Sequence, residues 1–153
     1  MKLNKKENFY KSNSNKYILQ PIGWVESPLV ERTEAPKQGD EGAPEAWIVF
    51  EPNVIDGLRD LQVGAKIIVL TWLDRARRDV LTVHPREDKT RKETGVFNTR
   101  SPDRPNPIGL HRVTVTSIDS TSDSIRICVC DLEALDATPI IDVKPVLDHG
   151  IER

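Results

Sequence analysis

The residues best placed to do chemistry in this chain fall into a charged, proline-rich stretch and one acidic–basic pair. From Arg75 to Lys92, seven basic residues (Arg75, Arg77, Arg78, Arg86, Lys89, Arg91 and Lys92) stand against Asp79, Glu87 and Asp88, a composition suited to gripping anions. The run that follows is Gly95-Val-Phe-Asn-Thr-Arg-Ser-Pro-Asp-Arg-Pro-Asn-Pro-Ile-Gly-Leu110. Each of its prolines fixes its own φ and holds the residue before it (Ser101, Arg104, Asn106) in extended geometry. The segment therefore reads as stiff without being a strand. It carries Arg100, Arg104 and Asn106 on a pre-ordered backbone, which reduces the entropy lost on capturing a ligand. A solvated charged loop with rigid turns fits the same composition. Asp142 and Lys144, two positions apart, face one side of a strand. Spacing alone leaves open a surface ion pair worth less than about 1 kcal/mol and a carboxylate–ammonium pair lining a polar pocket.

Other chemistries are excluded by what the sequence lacks. His84, His111 and His149 show no ligand spacing and no HExxH motif occurs, so no metal site is expected. GxGxxG, P-loop and GxSxG fingerprints are absent. Cys128 and Cys130, one residue apart on one face of a strand, form neither a CxxC pair nor a zinc framework and read as reduced, small apolar residues. The net charge of −2 (Lys+Arg 22, Asp+Glu 24) gives no global basic footprint, although a local basic patch is compatible with it.

The elements that must position these residues are mostly strands. The chain has 153 residues, the size of one domain, able to bury roughly 70% of its unfolded surface. Short runs rich in Ile and Val predict strands at Tyr17–Val25, Ala46–Glu51, Ala65–Leu73, Gly109–Ile118, Ser124–Leu132 and Pro139–Val143. Val54, Leu58 and Leu61 recur at helical spacing, so one short helix over Asn53–Leu61 is expected, capped by Asn53 and weakened by Gly57. This pattern predicts a mostly β fold, an antiparallel barrel or sandwich with one short helix. Ser27–Pro44 and Arg75–Pro107 lack regular pattern, and loops of that length are usually functional or disordered. Trp24, Trp47 and Trp72 offer surfaces for stacking bases, but strand-like neighbours predict that two of the three belong to the core. The apolar run Ile67–Leu73 is interrupted by Thr71 and falls far short of the roughly 20 residues of a membrane helix. Met1–Lys16 is rich in lysine and asparagine with no apolar h-region, which predicts a mobile basic tail before a single domain over 17–150 and a cytoplasmic location.

Three motifs then point to a family. Gly95–Leu110 resembles the signature of the TsaA-like family (also called TrmO or YaeB), which ends in R-S-x-x-R-P-N-P-I-G. Asp136-Ala-Thr-Pro-Ile-Ile-Asp-Val-Lys-Pro145 is similar to its D-G-T-P motif, and Ile22-Gly-Trp-Val-Glu-Ser-Pro28 to its opening I-G-x-(I/V)-x-S-P. The motifs stand in the family's order and span about Tyr17 to Leu147. The resemblance implies a small antiparallel β-barrel that acts as a homodimer and binds S-adenosylmethionine. It further implies methylation of N6 of N6-threonylcarbamoyladenosine at tRNA position 37. The same fold with a small-molecule or other nucleic-acid acceptor, and a non-catalytic cofactor- or RNA-binding module, are the rival readings.

Carried over residue by residue, Pro36, Lys37 and Gln38 match the family's P-(R/K)-Q segment at the cofactor. Arg100 matches the arginine of its T-R-S, Leu110 the apolar residue after P-I-G, and Cys130, Asp131, Leu132 and Glu133 the cofactor-contacting segment before D-G-T-P. Asp74 and Arg75 align where many members have a histidine. Ala137 replaces the motif's glycine, so a turn with φ > 0 is not expected there. Longer members carry a C-terminal region beyond the point where this chain ends. For methyl transfer, Asn106 offers the acceptors that turn the amine lone pair toward the methyl group. Asp142 is the candidate acceptor of the released proton or the orienter of Lys144. Arg77, Arg78, Arg91 and Arg104 are assigned to the tRNA phosphates, which predicts steep salt dependence of RNA affinity.

Overall fold

Period-two burial along each apolar run determines how the chain closes. In a computed structural model, which describes residues 16–147, the main strands are β1 (Gly23–Glu26), β2 (Ala46–Phe50), β3 (Lys66–Trp72), β6 (Ile108–Ser120), β7 (Ile125–Cys130) and β8 (Pro139–Pro145), while β4 (Thr82–Val83) and β5 (Thr94–Gly95) pair as a small separate ribbon within the long basic loop. The main strands form a closed antiparallel barrel in the order β1-β2-β7-β6-β3-β8. Closure leaves no edge strand exposed, and it decides between barrel and sandwich. Val25, Ile48, Val69, Val115, Ile127 and Val129 point inward and are fully buried or nearly so; burying each contributes roughly 1.5–3 kcal/mol. The expected tail at Met1–Lys16 lies, except for Lys16, outside the described residues.

Three details depart from the sequence pattern. The first strand begins only at Gly23, where its pairing with Phe50 starts; Tyr17 and Ile18 have no partner strand and are exposed. The helix forms as a 3-10 helix at Pro52–Leu58, entered through Pro52 and preceded by Glu51, without the expected side-chain cap from Asn53. Val54, Leu58 and Leu61 still pack against the core. None of the three tryptophans belongs to the core. Alternation turns them outward, and guanidinium groups cover two: Arg126 lies 4.2 Å from the Trp47 ring centroid and Arg78 5.2 Å from that of Trp72. Cys128 is buried and Cys130 half-buried, both as free thiols. Cys128 sits between the core residues Ile127 and Val129, so by alternation it lies on the barrel's outer side, in register with Trp47 and Ser117.

The turn before β8 also differs from expectation. Ala137 adopts φ 65, the left-handed region that costs an L-residue roughly 1–2 kcal/mol. The strain is tolerated because the turn is tied to β1: Ala137 N donates to Val25 O at 2.7 Å, and Val25 N donates to Thr138 O at 3.0 Å. Gain of glycine relieves the strain but loosens the unfolded chain by about 0.4–1 kcal/mol. Ala137→Gly is therefore expected to stabilise the barrel by up to about 1 kcal/mol, read as a rise in thermal midpoint; a lower midpoint would refute the strain argument.

Candidate functional site

A cleft of about 1500 Å³ runs along the β3–β6 side of the barrel, walled by parts of three loops: 32–40, 97–104 and 131–135. It exceeds the roughly 300–1000 Å³ of a typical small-molecule pocket, so it is an open groove with room for more than one group. Alternation puts an apolar patch on its floor, next to Lys66, Arg112 and Thr114. Leu70 and Leu110 lie in register on the outer face of β3 and β6, and Ile108 stands one pleat away. Leu110 is 42% exposed, Ile108 43%, and Phe97 on the rim 78%.

The proline-rich loop forms the rim, and its stiffness has a second source besides proline. Arg104 turns its guanidinium back on its own loop, donating from Nε to Ser101 O (2.8 Å) and from Nη2 to Val96 O (2.9 Å) and Thr99 O (2.6 Å). Arg104 N donates to Arg77 O at 3.0 Å. Next to this staple, Arg100 lines the cleft with no ion-pair or hydrogen-bond partner among the described residues.

The segment from Val30 to Glu41 runs along one wall of the cleft as a strap, latched to the basic loop. Arg32 forks onto Asp103 at 3.2 and 3.3 Å, Arg75 Nη1 donates to Val30 O at 2.6 Å, Lys37 pairs with Glu87 at 3.3 Å, and Arg86 with Glu41 at 2.6 Å. Each exposed ion pair is worth roughly 0–1 kcal/mol. The hydrogen bond from Arg86, followed by its charge, holds the Glu41 carboxyl below the ordinary glutamate value. A lowered carboxyl stabilises the fold above its unfolded pKa and loses that contribution as pH falls through the folded one. The Arg86–Glu41 latch should therefore be intact at neutral pH and weaken only below about pH 4.5. Arg86→Ala should move the Glu41 midpoint upward in an NMR titration; an unmoved midpoint would show that the latch does not form in solution.

Beneath the strap lies a buried polar chain that the sequence reading missed. His111 Nδ1 meets Glu133 Oε1 at 2.7 Å and Nε2 meets Thr71 Oγ1 at 2.8 Å. Thr71 and His111 are buried and Glu133 partly so. Gly109, in register with Thr71 and two residues before His111, makes room: a Cβ there would overlap Thr71 Oγ1 and stand 2.6 Å from His111 Nε2. At the strap, Gly39 packs on the carbonyl of Asp131 so closely that a Cβ would overlap it. Asp131 has φ 65, which turns the chain off β7 toward Glu133.

Pro36, Lys37, Gln38, Asp74, Arg75, Arg100, Leu110, Asp131 and Glu133 all line the cleft. Cys130 does not, and Leu132 is fully buried in the core. Of the arginines assigned to RNA, Arg104 lines the cleft while Arg77, Arg78 and Arg91 lie outside it. All four have partners: Arg77 pairs with Asp79 and Arg91 with Asp88, while Arg78 donates to Pro105 O and Asn106 Oδ1. Asn106 is exposed and outside the cleft lining. Asp142 and Lys144 form a 2.9 Å ion pair on the outer face of β8, with Asp142 in register with the cleft residue Leu70. Thr71 and His111 were given no role in the sequence reading because no motif contains them; the only signal was a histidine and a threonine at inward-facing strand positions.

Residues 24–149 match the family profile described as the tRNA-methyltransferase O N-terminal domain. The chain belongs to this family. Two Archaeoglobus fulgidus proteins are each 42% identical to it over 127 residues, 83% of this chain. One, named an S-adenosyl-L-methionine-binding protein, is covered over 87% of its length; the other, named a probable one, over only 33%. The tRNA (adenine(37)-N6)-methyltransferase of Escherichia coli K12 is 29% identical over 136 residues, 86% of this chain and 58% of that protein. A crystal structure of TrmO from Pseudomonas aeruginosa superimposes with a TM-score of 0.68 at 22% identity, covering 91% of this chain and 60% of that one. That likeness shows the TrmO barrel fold. No helix among the described residues is long and apolar enough to cross a membrane.

Proposed function

We propose that this TrmO-family chain binds S-adenosylmethionine in the cleft and, as a homodimer, methylates N6 of N6-threonylcarbamoyladenosine at tRNA position 37. The observation that carries the reading is the convergence of motif residues from four separate segments (Pro36–Gln38, Asp74–Arg75, Arg100 with Leu110, and Asp131 with Glu133) on one cleft. The donor set fits such a cofactor. Arg100, an unpaired cation, suits a carboxylate, and Glu133 Oε2, which has no hydrogen-bond partner among the described residues, suits hydroxyl or ammonium donors. Leu73, Leu110 and Phe97 supply apolar surface for a base or an aliphatic chain.

The bound cofactor supplies an electrophilic methyl group on a sulfonium. The chain's task is then alignment and exclusion of water. The stapled rim holds the acceptor while the strap walls the cleft. Asn106 Oδ1, which accepts from Arg78 at 3.0 Å, is assigned to accept an N–H of the adenine amine and direct its lone pair once Arg78 turns to a phosphate. Asp142, held by Lys144, is assigned to take the proton the amine loses. Arg77, Arg78 and Arg91 are assigned to phosphates, which requires exchange of their present carboxylate and carbonyl partners. The names of the Archaeoglobus relatives also favour a second reading, a binding module without an acceptor.

Tritiated methyl transfer to bulk tRNA, with and without the threonylcarbamoyl group, tests this. Label on modified tRNA alone is expected, falling steeply with salt. Cofactor binding with no label on either RNA would refute the tRNA reading, and the further absence of any acceptor in cell extracts would leave the binding module; label on unmodified tRNA would refute the assigned acceptor.

A further inference from the structure

We propose that His111 is a positioning residue: fixed from below by Thr71, it holds the Glu133 carboxylate by one oxygen so that the other is presented to donor groups of the bound cofactor. The inference rests on the reading that the cleft takes S-adenosylmethionine, and adds to it two residues that act through Glu133, His111 at the cleft wall and Thr71 behind it.

A carboxylate only accepts hydrogen bonds, so the 2.7 Å contact requires the proton on His111 Nδ1. In the neutral ring Nε2 then accepts, and the Thr71 hydroxyl donates to it across 2.8 Å. The Glu133 carboxylate thereby sets the tautomer, and the Thr71 hydroxyl, able to donate or accept, adapts to it and fixes the ring from the other side. The arrangement is costly to maintain. It places an imidazole and a hydroxyl at positions of β6 and β3 whose neighbours Val69 and Val113 are core, and it requires a glycine at position 109 to avoid overlap. A structural role needs no carboxylate at the far end, since burying apolar residues of like shape would serve as well. Glu133 instead lines the cleft, and its free Oε2 faces the strap, 2.9 Å from where a Cβ on Gly39 would stand. Without His111 the carboxylate would swing among rotamers and lose entropy again on each binding event.

Two near-isosteric substitutions separate the two contacts. The amide nitrogen of Asn overlaps His Nδ1 and keeps the bond to Glu133, whereas that of Gln overlaps Nε2 and keeps the contact with Thr71. Calorimetry with S-adenosylmethionine and its demethylated product on the full chain should give His111→Asn an affinity within about 3-fold of wild type. His111→Gln should lose about 10-fold or more, the 1.4 kcal/mol of one tenfold step. Equal losses in both variants, or none in either, would overturn the positioning role, and absence of binding by wild type would overturn the cofactor reading and this inference together. Should the variants fail to fold, 15N-histidine NMR of wild type decides. The His111 Nδ1–H resonance should shift when the cofactor product is added, and an unmoved resonance under saturating ligand refutes the proposal.

Discussion

Gly109→Ala should destabilise the barrel by about 2–4 kcal/mol and abolish binding in the cleft. The added methyl has no free space. It would overlap Thr71 Oγ1 and crowd His111 Nε2, both on side chains packed inside a closed barrel. Forcing one methyl into a packed interior costs typically 1–3 kcal/mol, and separating Thr71 from His111 leaves buried polar groups unpaired for roughly another 1–3 kcal/mol. With a urea m-value of about 1–3 kcal/mol/M, the midpoint should fall by about 1–2 M. A midpoint within a few tenths of a molar of wild type would mean that the polar chain relaxes without strain, and the account of Gly109 would be wrong.

Arg104→Ala should release the rim. The guanidinium holds three carbonyls of its own loop at 2.6–2.9 Å, and hydrogen bonds to a charged group contribute about 1.5–3 kcal/mol each, not additively. Exchange of the amide hydrogens between residues 96 and 106 should quicken by about 100-fold or more, with cofactor affinity falling alongside. Arg104→Lys should not restore protection, because one ammonium cannot reproduce the planar fork. If Arg104 acted on a phosphate instead, both variants would lower RNA affinity and flatten its salt dependence while leaving loop exchange unchanged.

The strands of the barrel were legible because a closed antiparallel sheet requires strict alternation, and Val113 and Val115 or Ile127 and Val129 display it directly. Alternation also places Trp47 and Trp72 on the outside, but their strand-like neighbours argued for the core, and no local pattern announces that Arg126 and Arg78 will cover them. The helix was legible from Val54, Leu58 and Leu61, yet its 3-10 winding depends on Pro52 and the tight return toward β3. Ala137 misled because its strain is tolerated only through bonds to Val25, more than a hundred residues away in sequence. In the cleft, motif residues were found by resemblance. The strap latches and the Thr71–His111–Glu133 chain were not, since each joins residues from distant segments that become neighbours only after closure.

The outward tryptophans govern how this molecule can be watched. Trp24 is 36% exposed, and Trp47 and Trp72 lie beneath guanidinium groups rather than among aliphatic side chains. Their indoles already sense water and charge in the native state, so denaturation moves their fluorescence emission only slightly toward the red. Far-ultraviolet circular dichroism is the sounder gauge of unfolding for this barrel, while the indole signal, arising outside the core, is better kept for reporting what docks there.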